Sequence, residues 1–335
     1  MKIWQIEGSY GIDHLRLADA PEPVPGPGQI VVEMKAASLN YRDLLTVQGY
    51  GGGYPLPLIP FSDGAGIVAA VGPGVSRVAK GDRVCPLFFQ SWLDGPVTAE
   101  SRNRPLGGPL PGVLQQRMLL DAGGVSKFPE HLSFEEAATL PCAGLTAWRA
   151  VTIEAPAGQG DTVLVQGTGG VSIFALQFAH ARGAKVVATS SSNDKLARAR
   201  ALGADQTINY KETPDWGRAA REWTGGRGVD VVVEVGGENT LAQSFDAARV
   251  GGHVVVIGVL GGFTSPVLIP VVFGKNLHIH GISVGSRAQF DGMAAFMAKT
   301  KLKPVVDRTF DFDALPEALR LMQAGGHFGK IAVRF

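Results

Sequence analysis

Short apolar runs alternate with longer amphipathic stretches across the middle of the chain. Val- and Ile-rich runs such as DTVLVQG, KVVATS, VDVVVEV and GHVVVIG are separated by stretches with helical spacing, such as GVSIFALQFAHARG and NDKLARARALG. Continuous apolar runs are typical of strands in a parallel sheet that helices cover on both faces. The pattern therefore predicts an α/β domain built on a doubly wound parallel sheet.

The first 120 residues have a different pattern. QIVVEMKAASL, GAGIVAAVGPGV and GDRVCPLFF are short β-like runs, and Pro- and Gly-rich segments such as PEPVPGPGQ separate them. Helical spacing is clear only over residues 41–47, so this part predicts a β-rich domain. From residue 133, SFEEAATLPCAGLTAW begins a helix with a Ser N-cap and acidic residues in its first turn.

The last part of the chain predicts a return to the first domain. It contains a strand in HIHGISVGSR, a helix through about residue 300, a second helix over residues 312–324 and a final strand in KIAVRF. The two histidines of HIH lie on one face of the predicted strand, where we expect surface or interface residues rather than metal ligands.

Composition excludes several classes of protein. Of the 335 residues, 45% are apolar and 18% are charged, which predicts a folded chain with room for two domains. The formal net charge of +1 argues against nucleic acid or an anionic membrane as the main partner. The sequence has two cysteines, Cys85 and Cys142, so it predicts neither a disulfide framework nor a four-cysteine zinc lobe. It shows no apolar stretch of signal-peptide or membrane-span length, and we expect a cytoplasmic protein.

A glycine motif follows the first strand of the α/β region. VLVQGTGGVS places Gly167, Gly169 and Ser172 at the spacing of G-x-G-x-x-G, with serine in the third position. The first glycine allows a tight turn, the second lets the backbone approach a pyrophosphate, and the third position requires a small residue. The helix that begins near Gly170 offers free N–H groups to phosphate. The motif predicts dinucleotide binding by Gly167, Thr168, Gly169, Gly170 and Val171.

The end of the next strand favours NADP(H) over NAD(H). NAD enzymes hold the adenosine ribose with a carboxylate about 20 residues after the glycines, whereas KVVATSSSNDK ends in three serines. Ser190, Ser191 and Lys195 would accept a 2′-phosphate, and Tyr210 would reach the same pocket. In the alternative interpretation, the serines cap a helix and Lys195 is a solvated surface residue.

Two polar stretches precede this region. SLNYRDLL contains Asn40, Tyr41, Arg42 and Asp43, and IPFSDGAG contains Ser62 and Asp63. Asp43 would orient a neighbour or cap the short helix, and Asp63 would serve the turn before Gly64. These side chains are candidates for a metal site, for a metal-free catalytic site or for ordinary turn chemistry.

Together these motifs resemble the medium-chain dehydrogenase/reductase family over essentially the whole chain. The resemblance rests on SLNYRDLL, IPFSDGAGIVAAVGPGV, LPCAGLTAW, VLVQGTGGVS, VGSR and GHFGKIAVRF. It implies a GroES-like β-domain formed by both chain ends, a Rossmann domain between them, and an active site in the cleft. We place the GroES-like catalytic domain at 1–122, the NADP(H)-binding Rossmann domain at 123–268 and the return segment at 269–335.

The resemblance is closest to the zinc-independent branch, which includes quinone oxidoreductases. Zinc members carry Cys-His at the positions of Asn40-Tyr41 and His-Glu at those of Ser62-Asp63, and oxygen ligands replace most of that set here. Cys142 matches a further zinc ligand but lacks its partners, so we predict no metal. Tyr41, Asn40, Asp43 and Ser62 are the predicted catalytic residues, with Tyr41 and Asn40 as hydrogen-bond donors to an acceptor oxygen.

Such a site favours NADPH-dependent reduction of a small electrophilic substrate, a quinone or an α,β-unsaturated carbonyl. The alternatives are an NADP(H)-dependent alcohol dehydrogenase or carbonyl reductase, and an NADPH-binding structural or regulatory protein. Loops around residues 47–56 and 87–112 are expected to shape the substrate pocket.

The resemblance also implies further cofactor contacts and an assembly. The additional cofactor residues are Thr146, Gly258, Val259, Ser286, Arg287 and Lys330. Arg287 would pair with phosphate oxygens or would be an exposed arginine at the start of a helix. The edge strand near residues 276–284 matches the strand through which family members dimerise, which predicts a homodimer.

Overall fold

The computed structural model describes residues 1–50 and 53–335, so the predicted pocket loop at 47–56 includes two residues outside the described ranges. The chain forms two compact units, Met1–Leu145 with Val284–Phe335, and Thr146–Ser283. The boundaries between the units lie at 145/146 and 283/284, whereas the boundaries predicted from the sequence are 122/123 and 268/269. The segment after residue 122 belongs to the first unit because Val125–Lys127 pairs with Arg83–Pro86 in its sheet.

The first part of unit one is mostly β-structure, as the pattern predicts. Its helices are short, and α1 covers the predicted residues 41–47. The elements are β1 (Lys2–Ile6), β2 (Leu15–Asp19), β3 (Gln29–Ser38), α1 (Tyr41–Val47), β4 (Asp63–Val71), β5 (Arg83–Pro86), α2 (Ala99–Arg102), β6 (Arg117–Asp121), β7 (Val125–Lys127) and α3 (Phe134–Ala137).

Unit two alternates strands and helices. Its elements, with the helix that crosses the unit boundary, are α4 (Leu145–Arg149), β8 (Thr162–Gln166), α5 (Gly170–Ala181), β9 (Lys185–Ser190), α6 (Asn193–Ala201), β10 (Gln206–Asn209), α7 (Trp216–Trp223), β11 (Val229–Glu234), α8 (Leu241–Ala247), β12 (Ala248–Val256), α9 (Ile269–Gly274) and β13 (His278–Gly281). The chain then completes unit one with α10 (Arg287–Thr300), β14 (Val306–Asp311), α11 (Leu315–Gln323) and β15 (Lys330–Arg334).

The sheet of unit two confirms the predicted Rossmann architecture. Its described strands are all parallel and lie in the order β10-β9-β8-β11-β12-β13. This is the 3-2-1-4-5-6 order of dinucleotide-binding folds, in which the chain runs from β8 out to β10 and then crosses back to β11 on the other side of β8. The strands β8 and β11 at the centre are buried along their whole length. The carboxyl ends of β8, β9 and β11 therefore meet at one edge, where ligands of such sheets bind.

The sheet of unit one joins both ends of the chain. β15 pairs antiparallel with β3 and parallel with β14, and β3 pairs in turn with β4 and β6. The core beneath it includes Ile30, Val32, Phe61, Leu319 and Ile331, all fully buried. The carboxyl end of β3 and the start of β4 are consequently held beside the start of β15.

In the part of the chain that the structure describes, no helix is both long enough and apolar enough to cross a membrane.

Candidate active site

The helix α1 begins with a capping box that also organises its surroundings. Asn40 is the N-cap residue, and its backbone N–H donates to Asp43 Oδ2 at 2.9 Å. Asp43 Oδ1 also accepts the backbone N–H of Ser62 at 3.3 Å. Because the Asp43 side chain is completely buried, these bonds hold the start of α1 against the strand entry at Ser62.

A chain of hydrogen bonds runs from Lys330 through this corner. The Lys330 ammonium donates to Asn40 Oδ1 at 2.6 Å and to the carbonyl oxygen of Leu39. The Asn40 amide donates to Ser62 Oγ at 3.5 Å, and Ser62 Oγ donates to Asp63 Oδ1 at 2.8 Å. The structure thus brings Asn40, Ser62 and Lys330 into one network, which we call the polar corner.

Burial perturbs the titratable groups of the polar corner. Desolvation raises the pKa of Asp63 to about 6, although Lys330 opposes the shift. Desolvation likewise lowers the pKa of the Lys330 ammonium, against the opposing field of Asp63. The pKa of the Cys142 thiol is raised by burial and by the nearby Asp63 carboxylate. Cys142 is consequently a thiol at neutral pH, and its backbone N–H donates to Asp63 Oδ2 at 2.9 Å.

Tyr41, which follows Asn40 in the sequence, differs from the residues of the polar corner because it is accessible. Its side chain is 38% exposed, whereas Asn40, Asp43 and Ser62 are buried. Among the described residues, the Tyr41 hydroxyl has no protein hydrogen-bond partner. A phenol in this state can donate a hydrogen bond to a bound molecule.

The glycine turn of unit two has the shape that a pyrophosphate requires. Gly167 has a φ of 67°, which favours glycine, and a Cβ atom at Gly167 or Gly169 would project into open space. Thr168 lies between them, and Gly170 and Val171 begin the 12-residue helix α5. Ser172 occupies the third motif position, where its hydroxyl donates to the Gln166 carbonyl at 2.6 Å. The turn has space for phosphate beside the positive end of a helix.

The residues predicted to bind a 2′-phosphate meet at the ends of two neighbouring strands. Ser190 is the last residue of β9, and its carbonyl accepts the backbone N–H of Tyr210 at 3.0 Å. Ser191 follows Ser190, and Ser192 caps α6 by accepting the Lys195 N–H at 3.4 Å. The helix-cap interpretation is therefore correct for Ser192. The buried Ser190 also takes part in this turn, because its Oγ accepts the Ser192 backbone N–H at 3.3 Å, and a hydroxyl that accepts one hydrogen bond can still donate another.

A cavity of about 400 Å³ lies next to these residues. Gly167, Thr189 and Tyr210 line one part of it, and Trp216, Gly236 and Thr240 line another. The second group was not predicted from the sequence. The Gly- and Asn-rich loop VGGENT after β11 was the available signal, because it emerges at the same edge of the sheet as the glycine turn.

A buried carboxylate that sequence reasoning also missed fixes this loop. Glu234 ends β11, is completely buried and accepts the backbone N–H groups of Gly236 and Gly237 at 2.8 and 2.9 Å. It also accepts the side-chain amide of Gln166 at 2.7 Å. Since Gln166 immediately precedes Gly167, these bonds tie the second cavity loop to the glycine turn.

The remaining predicted cofactor residues fall into both units. Gly258 and Val259 follow β12 in unit two, and Thr146 is buried in α4 at the start of that unit. Ser286 and Arg287 belong to unit one, as Lys330 does. Ser286 caps α10 by accepting the Gln289 N–H at 3.2 Å, and the Arg287 guanidinium donates to the Gly123 carbonyl at 3.0 Å.

No group of three or more His, Cys, Asp and Glu side chains that could hold a metal ion occurs in residues 1–50 and 53–335.

Comparison with known proteins gives a consistent result. Residues 26–130 match the family described as alcohol dehydrogenase GroES-like domain, which confirms the predicted GroES-like domain, and residues 170–299 match the family described as zinc-binding dehydrogenase. A zinc-type alcohol dehydrogenase-like protein of Schizosaccharomyces pombe is 44% identical over 335 residues, covering 97% of this chain and 96% of the relative.

Two solved structures that are similar to this chain are also a dehydrogenase and an oxidoreductase by name. A crystal structure from Sinorhizobium meliloti 1021, provisionally named an alcohol dehydrogenase, superposes with a TM-score of 0.93 at 42% identity and covers 100% of this chain and 98% of that chain. A quinone oxidoreductase of Pseudomonas syringae pv. Tomato DC3000 has a TM-score of 0.84 at 28% identity, with coverage of 100% and 99%.

Proposed function

The chain belongs to the medium-chain dehydrogenase/reductase superfamily of oxidoreductases, and from this premise we propose that it reduces conjugated acceptors with NADPH and without zinc. The acceptors are quinones or α,β-unsaturated carbonyl compounds. The observation that carries the proposal is the Lys330–Asn40–Ser62–Asp63 network, which places a buried ammonium where a metal enzyme would need a cluster of anionic ligands.

The polar corner does not fit a zinc ion. Tetrahedral zinc sites use thiolate, imidazole or carboxylate donors. Among the described residues, Cys142 does not belong to any group of three or more His, Cys, Asp and Glu that could hold a metal ion, and both oxygens of the Asp63 carboxylate already accept hydrogen bonds. The Lys330 ammonium would repel a divalent cation in the same low-dielectric corner. Amide, phenol and hydroxyl oxygens compete poorly with thiolate and imidazole as zinc ligands.

The residues of the glycine turn fit a dinucleotide, and a bound NADPH would supply hydride. The chain itself must then stabilise the negative charge that develops on the acceptor oxygen. The Tyr41 hydroxyl is the accessible donor for that oxygen, and the Lys330 ammonium favours the charge from behind Asn40. Reduction of a conjugated acceptor produces an enolate or a phenolate, which is less basic than a simple alkoxide. Neutral donors are better matched to such an oxyanion than to an alkoxide.

The preference for NADPH is proposed from the end of β9. Ser190 and Ser191 offer hydroxyls there, and the nearest carboxylate along the chain, Asp194, lies in the first turn of α6. Hydroxyls and the nearby Lys195 can donate hydrogen bonds to a dianionic phosphate, whereas a carboxylate at the strand end would repel it.

A panel of substrates tests the reaction. The purified protein is assayed with NADPH against 1,4-naphthoquinone and against a linear enone, and with NADP⁺ against a primary alcohol. We expect the protein to reduce the quinone or the enone, and we expect this activity to persist after treatment with a chelator. The Tyr41→Phe variant should lose roughly 10- to 100-fold in kcat while its affinity for NADPH, measured by calorimetry, is unchanged.

The second candidate is an alcohol dehydrogenase, which the names of the two most similar proteins above favour. Turnover confined to the alcohol, together with stoichiometric zinc in the active protein, would establish this candidate and refute the zinc-free reductase.

We also propose a homodimer through β13. This strand lies at the edge of its sheet, where its outer backbone groups can pair with the same strand of a second copy. Its Ile279 is 45% exposed, and Phe273 in the preceding α9 is 66% exposed. Light scattering should give twice the chain mass, and an Ile279→Lys variant should shift the protein toward monomer. A wild-type chain that is monomeric at about 50 μM, well above typical dimer dissociation constants, would contradict the proposal.

A further inference from the structure

Arg42, next to the accessible Tyr41, gathers three successive backbone carbonyls. Its guanidinium donates to the carbonyl oxygens of Leu106, Gly107 and Gly108 at 3.2, 3.3 and 3.5 Å. It also lies over the Phe88 ring, with 5.3 Å between the guanidinium carbon and the ring centroid. The two terminal nitrogens of a guanidinium present their N–H donors in a fixed plane, which suits a row of adjacent carbonyls.

Two glycines give the loop that provides these carbonyls its backbone conformation. Gly107 and Gly108 have φ angles of 72° and 128°, in the range that favours glycine. A Cβ atom at Gly107 would come within 2.7 Å of the Phe61 backbone. Phe61 itself has a φ of 72° and immediately precedes Ser62. The loop is therefore packed against the backbone that leads into the polar corner.

Asp43 connects this arrangement to the polar corner. The same Asp43 Oδ1 that accepts the Ser62 N–H also accepts the Arg42 guanidinium at 3.1 Å. Asp43 is completely buried, and the Arg42 side chain is 23% exposed. The pair joins three segments of the chain: the start of α1, the entry of β4 and the loop at 106–108.

We propose that Arg42 is a positioning residue that holds the 106–108 loop as one wall of the acceptor site beside Tyr41. The loop bound to Arg42 packs against the backbone of Phe61, which immediately precedes Ser62, so the loop adjoins the polar corner. The apolar residues Pro109 and Leu110 follow the bound carbonyls, and both retain solvent exposure. The wall would contact the apolar body of a quinone or enone and would restrict its size. The inference rests on the proposed function, because it deepens the assignment of that site.

The Arg42→Lys variant tests the wall, because lysine retains the charge but has one nitrogen, which cannot replace the separate Nη1 and Nη2 bonds to Gly107 and Gly108. For 1,4-naphthoquinone we expect KM to rise about 10-fold with kcat changed less than about 2-fold, and for the smaller 1,4-benzoquinone we expect KM to rise less than about 3-fold. Amide hydrogen exchange in residues 103–112 should accelerate at least about 5-fold. The affinity for NADPH should not change.

Arg102→Lys is the matched control. Arg102 lies near the same loop, with its guanidinium 6.0 Å from the Phe89 ring centroid, so its substitution perturbs an arginine–aromatic contact without touching the three carbonyls. Kinetic constants and exchange should change by less than about 2-fold. A loop that loosens in Arg42→Lys while both quinones retain their KM values would make Arg42 merely structural and would overturn the proposal. Unchanged exchange would overturn it as well.

Wild-type protein provides an independent measurement in case the variant does not fold. Hydrogen exchange in residues 103–112 should slow when NADP⁺ and 1,4-naphthoquinone are both present, because the quinone covers the wall, and unchanged exchange would overturn the proposal. If wild type oxidises only alcohols, the proposed function fails, and the KM comparison between ethanol and benzyl alcohol then decides the role of Arg42. A wild type inactive on every substrate overturns both.

Discussion

At the scale of single residues, the polar corner is a set of charges whose balance depends on pH. Asp63 has a pKa of about 6 because it is buried, and Lys330 supplies the opposing charge. When Asp63 is protonated, the corner gains one unit of positive charge. A more positive corner stabilises an anionic acceptor oxygen better.

We therefore expect kcat/KM for a conjugated acceptor to rise roughly 3- to 10-fold as pH falls from about 8 to about 5.5, with an apparent pKa near 6. Asp63→Asn should remove this dependence, and pH profiles of both proteins measure it. A profile that is identical in the two proteins would assign the titration to another group. Because the folded-state pKa exceeds the unfolded value, Asp63 also contributes stability that is present below about pH 4 and is lost as pH rises through about 6.

Lys330 leads to a second prediction at this scale. Lys330→Met would leave the Asn40 and Leu39 oxygens without their donor and the Asp63 carboxylate without its counter-charge. The free energy of unfolding should fall by about 3 kcal/mol, as expected when one partner of a buried charge pair is removed.

Adding Asp63→Asn should recover part of that loss, because the second substitution removes the uncompensated charge. Urea denaturation of the single and double variants measures the coupling. Strictly additive losses would mean that the two residues act independently.

At the scale of elements, α6 carries the proposed discrimination between nucleotides. Lys195→Ala should weaken NADPH binding about 10-fold and leave NADH binding within about 2-fold, because only the former carries the 2′-phosphate. Arg200→Ala is the matched control, since it removes a positive charge from the other end of the same helix. Calorimetry with both nucleotides distinguishes the cases, and equal losses for NADPH and NADH would disprove a phosphate contact.

The pattern of apolar residues predicted most elements of unit two, because its strands and helices are regular. It failed where helix type changes: in place of the single helix predicted after Ser133, a π-helical segment at Leu140–Gly144 separates α3 from α4, and a second at Ala150–Glu154 follows α4. The stretch GENTLAQSFDAARVG predicts a helix through residue 251, but α8 ends at Ala247 because Ala248 begins β12 alongside Val229. Contacts between distant segments decide where such elements end, and the spacing of apolar residues along the chain contains no information about these contacts.

The candidate site was predictable only in part for a similar reason. The motif at 40–43 and the glycine turn are local, and their spacing carries the signal. Lys330 lies 290 residues from Asn40 in sequence, so only the fold brings its ammonium to that amide. The carbonyls that Arg42 binds belong to the backbone and have no signature in side-chain chemistry.

At the scale of the whole molecule, the two units differ in how the chain builds them. Unit two is one continuous segment, Thr146–Ser283, with its own parallel sheet and a buried core that includes Leu164, Val187 and Val232. We expect this segment, expressed alone, to fold and to bind NADPH with reduced affinity, because Ser286, Arg287 and Lys330 are missing. Circular dichroism and calorimetry test this, and an unstructured segment would contradict it.

Unit one, in contrast, is discontinuous, and β15 lies between β14 and β3 in its sheet. During translation the ribosome must synthesise all of unit two before it reaches Lys330, so the carboxyl end of β3, at residues 36–38, lacks its β15 partner while the nascent chain lengthens. If translation stops before Lys330, the product contains a folded unit two, but its polar corner is incomplete. Truncated products would therefore bind coenzyme without consuming it, and the unpaired carboxyl end of β3 would mark them for chaperones.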